Sequence, residues 1–223
     1  LGSNTTGQSL CAFGAYALDA NTTANDNAAF GHHALGATTT GALNNAFGSS
    51  CLDANTTGGS NTAIGHAALG ANTTASNNTA VGSSALLSNT TATSNVAVGA
   101  NAGDAITTGG QNVAIGHNAL GALTTTSGNI AIGYNALDAG VDGVQNCIGI
   151  GSAALGALTA SGGTTGTGPS IGIGYNALAG ATSGINNIAI GGWCLDAVVT
   201  GNQNIGIGNN ALTVLTSAAN NIA

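Results

Sequence analysis

The side chains able to bind a metal or move a proton are few: His32, His33, His66 and His117, seven Asp, and Cys11, Cys51, Cys147 and Cys194. Histidines gathered on one ion would make a zinc site, with each nitrogen about 2 Å from the metal. Converging carboxylates would hold calcium, and paired cysteines would make a disulfide framework. Asn-Thr-Thr at Asn4, Asn21, Asn55, Asn72 and Asn89 matches the glycosylation sequon. Tyr134, Tyr175 and Trp193 are aromatic surfaces on which a sugar can stack. There is no Lys, Arg or Glu, and the formal net charge is −7. A surface for nucleic acid or anionic membrane needs cations, so both partners are excluded.

Which of these groups meet depends on a repeat. A glycine after a large apolar residue recurs at Gly14, Gly31, Gly48, Gly65, Gly82, Gly99, Gly116, Gly133, Gly151, Gly174, Gly191 and Gly208. The steps are 17 residues, except 18 from Gly133 to Gly151 and 23 from Gly151 to Gly174. With the marker glycine at position 5, position 1 is usually Asn, position 3 Ala or Gly, position 4 large and apolar, and position 8 Ala or Cys. Position 9 is Leu in every copy except at Gly103. Seventeen residues are too few for a helical repeat, and the alternating Asn-x-Ala-Ile-Gly stretch, rich in β-branched residues, is a short strand. Glycine at one fixed place is a corner that admits no Cβ.

The fold expected is therefore all-β: a parallel β-solenoid of about twelve 17-residue coils, each a strand, a Gly corner, a second strand and a polar turn. Residues 1–223 form one repetitive domain, with loop insertions near 138–146 and 156–170. Stacked about 4.8 Å apart, such coils make a rod about 60 Å long in which each side chain lies over its counterpart. Position 1 then makes an asparagine ladder of Asn27, Asn44, Asn61, Asn78, Asn95, Asn112, Asn129, Asn187 and Asn204, and positions 13 and 14 make threonine ladders. The large residues at positions 4 and 9 are the buried content of the column. Position 2 drifts from Asn45, Thr62 and Thr79 to Val113, Ile130, Ile171, Ile188 and Ile205, so the later coils are expected to be drier and stiffer.

Few large apolar residues per coil set against the entropy of ordering seventeen make a lone column marginal. Rows of small residues at positions 3 and 8 predict faces that admit another wall of backbone. A homo-oligomer of side-by-side columns, most simply a trimer, is the expected state. The chain starts and stops in mid-unit, lacks Met, and carries no signal or transmembrane run, which suggests a section of a longer fibre.

Within this frame the reactive groups disperse. His32 and His66 stand two coils apart, roughly 9–10 Å, beyond a shared zinc. Asp19, Asp53, Asp104, Asp138 and Asp196 share position 10 with glycines, which is turn chemistry. The cysteines occupy coils 1, 3, 9 and 11, too far apart to bridge, and Cys51 and Cys194 stand in for a small buried Ala. No catalytic set, metal or cofactor is expected. The sequons fall at position 12, read as an exposed turn. Tyr134, Tyr175 and Trp193 lie near the longer insertion and are the candidate contacts for a cell-surface glycan or receptor.

The units NTAIGHAAL, NVAIGHNAL, NIAIGYNAL and NIAIGGWCL resemble the head repeats of trimeric autotransporter adhesins. The NTTG and NTAIG arrays resemble still more closely the tail fibres of bacteriophages and marine viruses that end in a self-cleaving chaperone domain. The resemblance covers essentially the whole chain. It implies a left-handed parallel β-roll, three chains side by side, an extracellular, cell-surface or virion location, and attachment to a host or surface. The adhesin heads resemble a shorter coil of about fourteen residues, which puts the three extra residues here in the Thr-rich turn; no anchor or chaperone domain is present in this sequence. The function expected is a non-enzymatic fibre, shaft or adhesive head. A self-assembling structural filament is the alternative, and an ice-binding solenoid a second, disfavoured because extended neighbours such as Thr73 and Thr74 point to opposite faces.

Overall fold

The computed structural model describes residues 1–139, 144–158, 168–197 and 199–223. Residues 140–143 of the first expected insertion and 159–167 of the second lie outside these residues. Among the described residues there is no helix. Twelve three-residue strands, β1 (Cys11–Phe13) through β12 (Ile205–Ile207), form one parallel sheet in chain order. The chain is an all-β parallel β-solenoid, one coil per repeat. We number the coils from position 1 at Leu10, so that coil 4 begins at Asn61 and coil 12 at Asn204.

Pairing puts like over like: Phe13 beside Phe30, Ile64 beside Val81, Ile190 beside Ile207. Across the longer steps the register holds, with Ile132 beside Ile150 and Ile150 beside Ile173. The extra residues leave the ladder untouched.

All twelve marker glycines lie at φ between 130° and 147°. A Cβ on Gly65 would stand 2.5 Å from the carbonyl oxygen of Gly82 in the next coil. The corner therefore needs glycine twice over, for its backbone and for its neighbour.

The expected second strand does not form. After the corner the chain turns through left-handed residues, Ala67 at φ 55° and Leu69 at φ 52° in coil 4, and the same two positions are left-handed in every coil. Position 17 is left-handed as well, as at Ser60 and Asn77. The backbone still bonds along the stack: Ala67 N–H donates back to Ser49 O at 2.9 Å, and Leu69 and Ala71 donate forward to Ala85 and Leu87, each at 3.0 Å. Each non-glycine residue so held costs about 1–2 kcal/mol, and the interlocking stack over-determines the conformation. This explains why position 9 is Leu and never Ile or Val. A β-branched side chain is badly placed at positive φ, and Leu branches one carbon further out.

The interior is thin. In coil 4 it holds Ala63, Ala68 and Leu69, all fully buried, and neighbouring coils repeat the set. Position 4 points outward, contrary to expectation: the burial pattern of Thr62–Ile64 puts Ala63 inside and Ile64 outside. The small residues at positions 3 and 8 do not form an outer docking face, because they meet each other across the coil. A Cβ on Gly172 would lie 2.9 Å from Ala177 O, so in this coil the two walls stand closer than an Ala at position 3 would allow. Cys194, larger than Ala, faces Gly206 of the next coil, where a Cβ would meet its sulfur at 2.6 Å.

Candidate functional site

Turning position 3 inward turns positions 2 and 4 outward, because successive strand residues face opposite sides. The outer face of the sheet is thus two side chains wide and runs the length of the column. Position 4 supplies Phe13, Phe30 and Phe47, with Phe30 and Phe47 stacked at 4.7 Å, and then Ile or Val in every later coil. Phe13 is 74% exposed, Ile64 42% and Ile207 62%. Position 2 is polar or small from Cys11 to Thr79 and β-branched apolar from Val96 to Ile205. The column thus carries a continuous, partly exposed apolar ridge along one face.

The position 1 asparagines are buried and bonded. Each does two jobs, seen at Asn78. Its Nδ2 donates to Ala92 O at 2.9 Å, tying the start of the coil to its end, and its Oδ1 accepts from Asn95 N–H at 2.9 Å in the coil after. Where the asparagine is replaced, the chain of bonds persists: Cys147 N–H donates to Asn129 Oδ1 at 3.0 Å, Ser170 N–H to Cys147 Sγ at 3.4 Å, and Asn187 N–H to Ser170 Oγ at 3.3 Å.

The sequon asparagines require a correction. Asn21, Asn55, Asn72 and Asn89 are fully buried, not in an exposed turn; of the five only Asn4 is exposed. They form a second internal ladder. Asn72 Nδ2 donates to Asn55 Oδ1 at 2.9 Å, and Asn89 Nδ2 to Asn72 Oδ1 at 3.1 Å. Position 12 lies inside because the left-handed turn at positions 7 and 9 folds the following segment back over the core. One sequence signal bears on this: later coils put Ile106, Leu123 and Leu158 at the same place, and all three are buried. A site shared by Asn and Leu is an interior site. The ladder ends at Ile106, which offers no donor, and Asn89 Oδ1 is left buried without a partner.

On the ridge beyond the corner, positions 6 and 7 carry the His and aromatic residues. Tyr16 stacks on His33 at 4.8 Å, and His117 on Tyr134 at 5.6 Å. Tyr175 meets Trp193 edge-on at 4.9 Å. The three candidate ligand contacts therefore divide, Tyr175 pairing with Trp193 while Tyr134 pairs with His117. Among the described residues no three His, Cys or Asp side chains are grouped to hold a metal. His33 Nδ1 lies 3.7 Å from Asp53 Oδ1.

At position 10 the reason for alternating Asp and Gly is steric. The Asp53 carboxylate leans over Gly36 of the preceding coil, where a Cβ would meet it at 2.7 Å, and Asp19 leans over Gly2 likewise, at 3.0 Å. Burial raises the Asp104 and Asp138 carboxyls above the ordinary aspartate value. All four cysteines are free; Cys51, Cys147 and Cys194 are buried and Cys11 is exposed. Burial pushes the Cys51 thiol up to about 12 and also raises Cys147 and Cys194. The threonine rows separate too: Thr73 is half-buried and donates to Thr90 O at 3.2 Å, while Thr74 is exposed. The hydroxyl row open to water is one residue wide.

No family model, curated protein or solved structure matches the chain.

Proposed function

We propose that this chain is a non-enzymatic segment of an extracellular or virion-borne fibre, shaft or adhesive head, built from three columns packed side by side through their outer strand faces. The observation that carries the reading is the unbroken outer ridge of Phe, Ile and Val at position 4, joined in coils 6 to 12 by Val and Ile at position 2. A single column leaves this ridge partly in water, and burying it against copies of itself supplies apolar area that the thin Ala-Leu-Ala interior lacks. Identical coils at identical spacing make the face complementary to a second copy in parallel register. The resemblance of the NTAIG units to adhesin heads and viral tail fibres supports the count of three and the external location.

The test is the mass of the purified chain by light scattering or sedimentation. Three times the 20.9-kDa chain mass is expected. A monomer that keeps its β circular dichroism would overturn the proposal, and unlimited fibres in micrographs would favour the filament alternative.

A further inference from the structure

We infer that the ridge around Gly192 is a binding site for a neutral glycan, a reading that rests on the adhesive role proposed above and names its ligand class. Tyr175, Gly192 and Asn209 occupy position 6 of coils 10, 11 and 12, and Trp193, at position 7, stands beside them. Tyr175 is 51% exposed and Trp193 43%, their rings 4.9 Å apart and steeply inclined. Between Tyr175 and Asn209 the column carries no side chain at Gly192, and the Asn209 amide leans over the bare backbone there.

That glycine is not required by the backbone. Its φ is not positive, unlike the corner glycines, and position 6 elsewhere accepts Ala, Ser, His, Tyr and Asn. Glycine at such a place costs conformational entropy and returns no local benefit. What it provides is room for the Asn209 amide of the next coil beside Trp193. Two coil spacings, about 9–10 Å, separate the backbones of Tyr175 and Asn209, and the Asn209 amide spans part of that distance. Trp193 follows Gly192 directly and is exposed, and the exposed Asn209 amide leans over Gly192, its Oδ1 2.8 Å from where a Gly192 Cβ would sit. An aromatic wall for the apolar face of a sugar and an amide for its hydroxyls make a carbohydrate subsite. Trp193 is the only tryptophan in the chain, and Gly192 the only glycine at position 6. The repeat is broken twice at one place.

Charge selects the class of sugar. With no Lys or Arg and a formal net charge of −7, the surface offers no cation to a sialic acid, uronate or sulfate. The ligand is a neutral hexose or N-acetylhexosamine unit.

Because the single tryptophan lies in the site, its fluorescence reports binding directly. The purified chain is titrated with mannose, galactose and N-acetylglucosamine oligomers, and with sialyllactose as the anionic control. A saturable change with at least one neutral oligomer and none with sialyllactose is expected. Gly192→His, which installs a residue that position 6 accepts in coils 2, 4 and 7, should weaken binding about tenfold or more while leaving melting temperature and oligomer mass unchanged. No response to any neutral oligomer, or equal binding by Gly192→His, overturns the site. Loss of the oligomer in Trp193→Ala would also overturn it, by assigning the aromatic pair to subunit packing. Oligomer mass is read independently, so a failed glycan titration on an intact trimer refutes the site without touching the fibre reading.

Discussion

Gly103 and Ile106 trade sizes. Where every other coil fills its centre with Leu at position 9, coil 6 has Gly103, and the vacated space is taken by Ile106, whose Cδ1 lies 3.0 Å from where a Gly103 Cβ would be. Gly103→Leu alone should clash with Ile106 and with Leu86, and Ile106→Asn alone should leave a cavity beside the glycine. The double variant rebuilds the common pattern and also gives the orphaned Asn89 Oδ1 a donor. We expect each single change to destabilise and the pair to recover, with a coupling of about 0.5–3 kcal/mol in denaturant unfolding; additive losses would show that the two sites are independent. The thiols follow the same logic of burial. With Cys51 pushed up to about 12 and Cys147 and Cys194 raised, none of the three is a thiolate near neutrality. A thiol reagent at pH 8 should label at most Cys11 in the native protein and all four cysteines after unfolding. Rapid native labelling at Cys51 would contradict the closed interior.

The coil is the element, and its faces carry the argument. Its period, its corner glycines and the position 1 ladder were legible because each is a repeated residue type with one physical use. The direction of the strand was not. Alternation in Thr62–Ile64 says that Ala63 and Ile64 face opposite ways, and the size of Ile favoured putting it inside. What decides the matter is the turn after the corner, whose left-handed residues close the coil so tightly that position 3 takes only Ala or Gly and position 8 only Ala or Cys. No single residue announces that turn, since Tyr16, Ser50, Asn101 and Trp193 all adopt it at position 7. The same turn hid the burial of Asn55 and Asn72. The Tyr175–Trp193 pair was legible in part: the residues were visible, but their separation from Tyr134 was not. Coils 6 to 12 carry large apolar residues at both outward positions, and coils 1 to 5 at position 4 only, with a polar or small residue at position 2. An aspartate buried in the first set has no cation to meet it. Val113→Asp or Ile130→Asp should therefore dissociate the proposed assembly, and Thr62→Asp should weaken it less. Sedimentation with circular dichroism as the folding control distinguishes them, and equal effects would place the contact elsewhere.

At the scale of the molecule the controlling fact is a charge of one sign. Acid unfolds ordinary proteins largely by protonating carboxylates that are paired with cations in the native state. This chain has no Lys or Arg to pair with, and its shifted carboxyls run the other way. Burial raises Asp104, with a contribution from Asp138 across the intervening Gly121, and burial raises Asp138 despite the lowering influence of His117. A raised folded pKa means that the folded state binds more protons than the unfolded state between the two values. Stability therefore rises as pH falls through the folded value, and the gain is complete below the ordinary aspartate value of 3.8. Repulsion among the aspartates fades as the chain approaches its isoelectric point near 4.2. The melting temperature followed by circular dichroism should thus hold or rise from pH 7 to about 4. Asp104→Asn should flatten that slope by removing one of the two raised groups. A melting temperature that falls steadily with acid in the parent protein would mean that its carboxylates are stabilised in the folded state, against the burial that the stacked coils impose on them.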